Sequence, residues 1–230
     1  MRRSGWVLIA VAAGGAGWAA AELARPRRVD IRSFEPDQVA RLETAMWRSY
    51  YDRRRLPLFG QLVALLQGQF QLQPLRAVAL AGLAARAAAV FQVGASHADY
   101  RRALPYLERY YAGIRAASSV EFDPVRAAWL ELEWWIVHRE ADDHPPGDLE
   151  HALAELAAEL YQVPAERVAV HAARRAEAMT IRDRTSRRAV GVLDDDWDRI
   201  EAVLWVSWRS LAAQVRATPQ EALPPASPSA

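Results

Sequence analysis

Two glutamates fall on the apolar faces of predicted helices, where a carboxylate is costly unless another group neutralises it. At about 100° per residue, Glu43 lies inside the apolar stripe that includes Val39 and Met46, rather than opposite it. Glu201 lies in the same way between Trp197 and Leu204 of a later helix. These two carboxylates are therefore the first candidates for buried chemistry.

Arginine is the partner that the sequence offers to such carboxylates. Arg175 lies in a stripe with Ala172 and Met179, and Arg86 lies on the most apolar helix of the chain. A guanidinium presents five N–H donors in a planar fork that matches a carboxylate. We therefore expect buried ion pairs, with Arg86 and Arg175 as the partners of the two glutamates and with no metal and no cofactor.

A metal centre is the alternative use of the same carboxylates. Carboxylates and imidazoles from several helices converge on two metal ions in the di-iron helical bundles. Such bundles carry Glu-x-x-His pairs, which place both ligands on one face of a helix, and this chain has none. A carboxylate-bridged oxidoreductase would have to use a less regular set, namely Glu43, Glu108, Glu131, His138, His171 and Glu201.

The composition excludes several classes of chemistry. The printed sequence contains no Lys and no Cys, so a P-loop lysine, a Schiff-base lysine, a thiol nucleophile and an iron–sulfur cluster are all excluded. The 29 basic and 28 acidic residues give a net charge of +1, which removes the electrostatic basis for binding nucleic acid. The chain also lacks a Gly-x-Ser-x-Gly elbow. We expect a protein that is not an enzyme.

The elements that must position these side chains are helices. Apolar residues recur at helical spacing through residues 29–217, and no stretch shows the period-two alternation of a strand. The pattern predicts an all-α bundle of about six to eight helices. Residues 75–93 carry only Arg76 and Arg86 as charges, so this helix is predicted to be the buried centre, and a second membrane span is the alternative.

The two ends of the chain differ in composition from this helical domain. Residues 5–21 contain no charge and are flanked by Arg on both sides, which predicts a membrane anchor or an export signal within residues 1–28. Residues 218–230 are rich in Pro, Ser and Ala, and we expect them to be a disordered tail. The protein is accordingly expected at a membrane through residues 5–21, or exported to the periplasm.

The function that these features favour is a helical interaction or binding domain. Its partner would be another protein or a second copy of the chain. A carrier of an apolar ligand is a further alternative, because Trp129, Trp134 and Trp135 lie close together on one helix and aromatic side chains line many apolar clefts.

Overall fold

The computed structural model of this chain describes residues 27–217, and over that range it is all-α. No strand occurs in these residues, so the predicted fold class is confirmed. The predictions for residues 5–21 and for residues 218–230 lie outside the described residues. Eight helices of 14 to 23 residues make up the fold: α1 (Pro36–Tyr51), α2 (Arg55–Phe70), α3 (Pro74–Val93), α4 (Leu104–Ala117), α5 (Pro124–Arg139), α6 (Asp148–Tyr161), α7 (Ala169–Ser186) and α8 (Asp194–Arg216).

These eight helices close into a ring. Each helix packs against the one before it and the one after it, and α8 packs against α1. Short connections such as residues 52–54 and 71–73 make successive helices run antiparallel. The ring therefore has two ends, and at one of them the odd-numbered helices begin and the even-numbered helices finish.

The segment that precedes α1 crosses this end of the ring. Val29 pairs with the end of α4 through hydrogen bonds to Ala117 and Ser119. The Arg32 guanidinium donates to the carbonyl oxygen of Tyr161 from Nε at 3.0 Å and from Nη2 at 2.7 Å, which satisfies a carbonyl at the end of α6. Ile31 and Phe34 are fully buried beneath the segment. Arg216 of α8 also donates from Nε to the carbonyl oxygen of Arg32 at 3.1 Å, so residues 27–35 contact α4, α6 and α8.

The position of α3 differs from the sequence prediction. Instead of being the buried centre of a bundle, α3 occupies one place in the ring and exposes an outer face that includes Val78 and Val93. Within residues 27–217 it is the one helix whose length and hydropathy would allow it to cross a membrane. The prediction of a buried centre was wrong because Ala and Gly make a helix apolar without giving it large side chains that require burial.

Close contact between α3 and α4 depends on Gly113. A Cβ added at Gly113 would lie 2.4 Å from Cδ2 of Leu80 and 3.3 Å from its Cγ. We expect Gly113→Ala to be less stable than Gly82→Ala by about 1 to 3 kcal/mol, the usual cost of overpacking. Gly82 is the matched control, since it is also inside a helix and its added Cβ would meet nothing within 4 Å. Urea unfolding measures both, and equal stabilities would contradict the prediction.

Candidate functional site

Glu43 is the most deeply buried carboxylate among the described residues, with 1% of its surface exposed. It projects from α1, and its Oε1 accepts hydrogen bonds from Arg175 Nε at 3.0 Å and Nη2 at 2.8 Å. Its Oε2 accepts a hydrogen bond from Trp208 Nε1 at 2.6 Å. Both oxygens are therefore engaged, by α7 on one side and by α8 on the other.

Glu131 on α5 is a second carboxylate that is held in a similar way, and its charge also acts on Arg175. Its Oε2 accepts a hydrogen bond from the Tyr111 hydroxyl at 2.7 Å, and its Oε1 accepts one from Trp135 Nε1 at 3.0 Å. Burial raises the pKa of Tyr111 well above its usual value, and the charge of Glu131 raises it further. Tyr111 therefore stays a hydroxyl donor over the whole physiological range of pH.

Arg175 is hydrogen-bonded to Glu43 and is near enough to Glu131 to feel the charge of that carboxylate. Burial lowers the pKa of its guanidinium, but the negative charges of Glu43 and Glu131 outweigh this effect and raise the pKa above the usual value. The guanidinium carbon also lies 5.3 Å from the centroid of the Trp134 ring, a favourable cation–π arrangement. The side chain of Arg175 keeps 18% of its surface exposed. We call the set of Glu43, Glu131, Tyr111, Trp135, Arg175 and Trp208 the central network.

His171 lies one turn from Arg175 on α7 and is also buried. Its Nδ1 is 2.8 Å from Ser207 Oγ, and that hydroxyl donates to the carbonyl oxygen of His171 at 2.8 Å. Burial lowers the pKa of His171 to about 3, and the nearby positive charge of Arg175 acts in the same direction. The imidazole is therefore neutral at physiological pH and joins α7 to α8.

The other predicted residues lie outside the central network. Arg86 is exposed on α3, where its guanidinium carbon is 5.8 Å from the centroid of the Tyr106 ring. Glu201 is half-buried at the edge of the α8 stripe, with neither a hydrogen bond nor an ion pair among residues 27–217. His138 Nε2 lies 3.0 Å from Asp183 Oδ2, and Glu108 is half-buried on α4. Of the four residues considered for ion pairs, the structure brings together Glu43 and Arg175.

The six side chains of the metal alternative do not share a site. Glu43 and Glu131 are each hydrogen-bonded to arginine, indole or hydroxyl donors, while His138 and His171 have partners elsewhere. Within residues 27–217, no group of three or more His, Asp or Glu side chains is placed to hold a metal ion.

Two of the three tryptophans of α5 lie against each other, because the rings of Trp134 and Trp135 pack edge-on with 6.2 Å between their centroids. Trp129 is exposed, Trp134 lies beneath Arg175, and Trp135 packs edge-on against Phe91 with 5.2 Å between the ring centroids. The apolar-carrier alternative, which rests on these tryptophans, stays a prediction.

The sequence did not single out Tyr111, Trp135 and Trp208 as members of a polar site. Their apolar rings fit the helical stripes, and only their hydroxyl and indole N–H groups enter the network. One available signal was the spacing of Glu131 and Trp135, which are four residues apart and therefore lie on one face of α5.

Comparison with protein-family models, with curated proteins and with solved structures finds no match for this chain.

The hydroxyl of Tyr111 gives a direct test of the network. We expect Tyr111→Phe to lower the free energy of unfolding by about 1.5 to 3 kcal/mol, because a hydrogen bond to a partly buried charged group is lost. Tyr110→Phe is the control, since the hydroxyl of Tyr110 makes no hydrogen bond within the described residues, and we expect it to cost less than about 1 kcal/mol. Equal losses in the two variants would contradict a structural role for the Glu131 hydrogen bond.

Proposed function

We propose that this chain is a non-enzymatic helical binding domain, held at a membrane by residues 5–21, that acts through contacts of its outer surface. The observation that carries the proposal is the state of Glu43, whose two oxygens both accept hydrogen bonds from the protein itself. A general base or a metal ligand needs a free lone pair that the substrate or the metal can reach. In the central network, the hydrogen-bond donors and acceptors instead form bonds that join one helix to another.

The surface is the remaining place for function in such a domain. Several large apolar side chains are exposed on the outside of the ring, among them Leu56, Val93 and Trp129. Exposed apolar patches on a soluble domain often mark contacts with a protein or a membrane. A protein partner or a second copy of the chain is therefore part of the proposal.

Membrane attachment through residues 5–21 can be tested in the full chain. We expect the protein to stay with the membrane pellet after a carbonate wash, and we expect the variant with Ile9→Arg and Ala13→Arg to move into the supernatant, because two charges in the segment oppose insertion. N-terminal sequencing of the pelleted protein distinguishes a retained anchor from a cleaved signal. Recovery of the unaltered chain in the supernatant would overturn the membrane part of the proposal.

The non-enzymatic part is tested by the metal content of the purified full chain. We expect less than one bound transition-metal ion per chain after dialysis against buffer without chelator. About two iron ions per chain would overturn the proposal and favour the oxidoreductase alternative.

A further inference from the structure

The hairpin formed by α2 and α3 is free of negative charge. None of the 28 acidic residues of the chain falls between Asp52 and Asp99. The hairpin covers most of that stretch, and its only charged residues are Arg55, Arg76 and Arg86. No other stretch of the helical domain is comparably long without an acid, so this part of the ring surface differs electrostatically from the rest.

The outer face of the hairpin is also apolar. Leu56 is 88% exposed at the start of α2, and Val93 is 84% exposed at the end of α3. Because the two helices run antiparallel, these side chains lie at the same end of the hairpin. Phe59 and Val78 are exposed further along it. We call the exposed surface of Leu56, Phe59, Val78, Gly82, Ala89 and Val93 the hairpin face.

Basic side chains border the hairpin face at the end where α2 begins, and the acidic Asp52 at this turn is paired with Arg54 at 3.8 Å. Arg53 and Arg55 are exposed, and neither makes an ion pair or a hydrogen bond through its side chain within residues 27–217. An apolar surface bordered by unpaired arginine complements an anionic lipid bilayer, where apolar groups enter the interface and guanidinium groups meet the phosphates.

The start of the described chain lies beside the same hairpin. The backbone N–H of Arg27 donates to Oε1 of Gln73, in the turn between α2 and α3, at 3.3 Å. Residues 22–26 are the only link between this point and residues 5–21, and five residues span at most about 17 Å. A membrane segment at residues 5–21 would therefore hold the turn end of the hairpin, opposite the end that carries Arg53 and Arg55, close to the bilayer that it enters.

We infer that the hairpin face lies on an anionic lipid bilayer, with Arg53 and Arg55 at the level of the lipid phosphates. This inference rests on the proposed membrane location and adds to it the orientation of the ring. In this orientation the opposite side of the ring, around α6 and α7, faces the aqueous phase and is accessible to a protein partner.

The chain contains no native cysteine, so a single introduced cysteine can be labelled at a chosen position. Single variants Val78→Cys and Ala89→Cys are labelled with an environment-sensitive fluorophore in the full chain. Ala173→Cys, at an exposed position of α7, is the control. The proteins are placed in vesicles of phosphatidylcholine with 30% phosphatidylglycerol, with part of the lipid brominated to quench fluorophores within the bilayer interface. We expect strong quenching at positions 78 and 89 and little at position 173.

The contribution of charge is tested in the labelled Ala89→Cys chain. We expect the pair Arg53→Gln and Arg55→Gln to reduce its quenching at least twofold, and we expect vesicles of pure phosphatidylcholine to do the same. The pair Arg184→Gln and Arg187→Gln is the control, because it removes the same charge from exposed positions at the far side of the ring. Equal effects of the two pairs would overturn the role of Arg53 and Arg55.

The outcomes separate this inference from the proposed function. Carbonate-resistant attachment without quenching at positions 78 and 89 overturns the inference and leaves the membrane anchor standing. Disulfide-linked dimers of unlabelled Ala89→Cys, together with no quenching in the labelled protein, overturn it in favour of a second copy of the chain on the hairpin face. Loss of the unaltered chain from the vesicles in carbonate overturns the proposed membrane location, and the inference with it.

Discussion

Replacing Arg175 with Met is expected to lower the free energy of unfolding by about 3 to 5 kcal/mol, the range for removing one partner of a buried ion pair. The variant leaves Glu43 with a single donor, the indole N–H of Trp208, at a position that is 1% exposed. A buried carboxylate without a counter-charge is far more costly than the loss of the attraction itself. Urea unfolding followed by the far-ultraviolet circular dichroism of the helices measures the change.

The control for this variant is the neighbouring arginine. Arg174 pairs with Glu177 on the surface of α7, where the arginine side chain is 50% exposed. We expect Arg174→Met to change the free energy of unfolding by less than about 1 kcal/mol, as is usual for exposed ion pairs. A similar loss from both substitutions would mean that the effect comes from removing any arginine of α7.

A double variant separates the pair from its surroundings. With Glu43→Met and Arg175→Met together, the carboxylate of Glu43 is removed along with its partner and only Glu131 loses a nearby counter-charge, so we expect a smaller loss than that of Arg175→Met alone. The cycle formed by the two single variants and the double variant isolates the coupling between the side chains. Additive losses would contradict a direct energetic link between Glu43 and Arg175.

The central network couples parts of the chain that are distant in sequence. Arg175 and Glu43 are 132 residues apart, and Trp208 and Glu43 are 165 residues apart. These bonds join α1 to α7 and α8, the helices where the ring closes. Apolar packing alone tolerates small slips between helices, whereas a hydrogen bond fixes one position along each helix. The network therefore joins α1, α7 and α8 through one defined residue on each helix.

The existence of most helices could be predicted because their boundaries have local causes. Asp123 accepts hydrogen bonds from the N–H groups of Val125 and Arg126, and Pro124 then begins α5, where its fixed φ and missing N–H suit a first turn. Such helix-boundary signals depend on a few adjacent residues, so they can be recognised in the sequence without any knowledge of the fold.

The closing of the ring could not be predicted in the same way. Arg86 and Arg175 both lie on helices rich in Ala, with the same local spacing of apolar neighbours, yet Arg86 is exposed and Arg175 lies at the centre. The difference arises because α3 turns one face outward and α7 turns the corresponding face toward α1. Only the tertiary arrangement determines that choice, so no local pattern distinguishes the two arginines.

Histidine 171 is expected to make the protein lose stability as the pH falls below about 6.5. Burial lowers the pKa of His171 to about 3 in the folded protein, whereas an unfolded histidine has a pKa of about 6.5. Below pH 6.5 the histidine is therefore protonated in the unfolded state but stays neutral in the folded state. As a result, the free energy of unfolding falls by up to about 1.4 kcal/mol per pH unit. Between pH 7 and pH 5 the contribution of this residue is a loss of about 2 kcal/mol.

The loss is assigned to His171 by comparing the unaltered protein with His171→Gln in urea unfolding at pH 7, 6 and 5. The glutamine takes no proton in either state, so the difference in unfolding free energy between the two proteins should change by about 2 kcal/mol across this range. His151→Gln, at an exposed position of α6, is the control for the removal of an imidazole as such. Parallel curves for the unaltered protein and His171→Gln would contradict the prediction, because they would mean that the imidazole gains its proton equally in the folded and unfolded states.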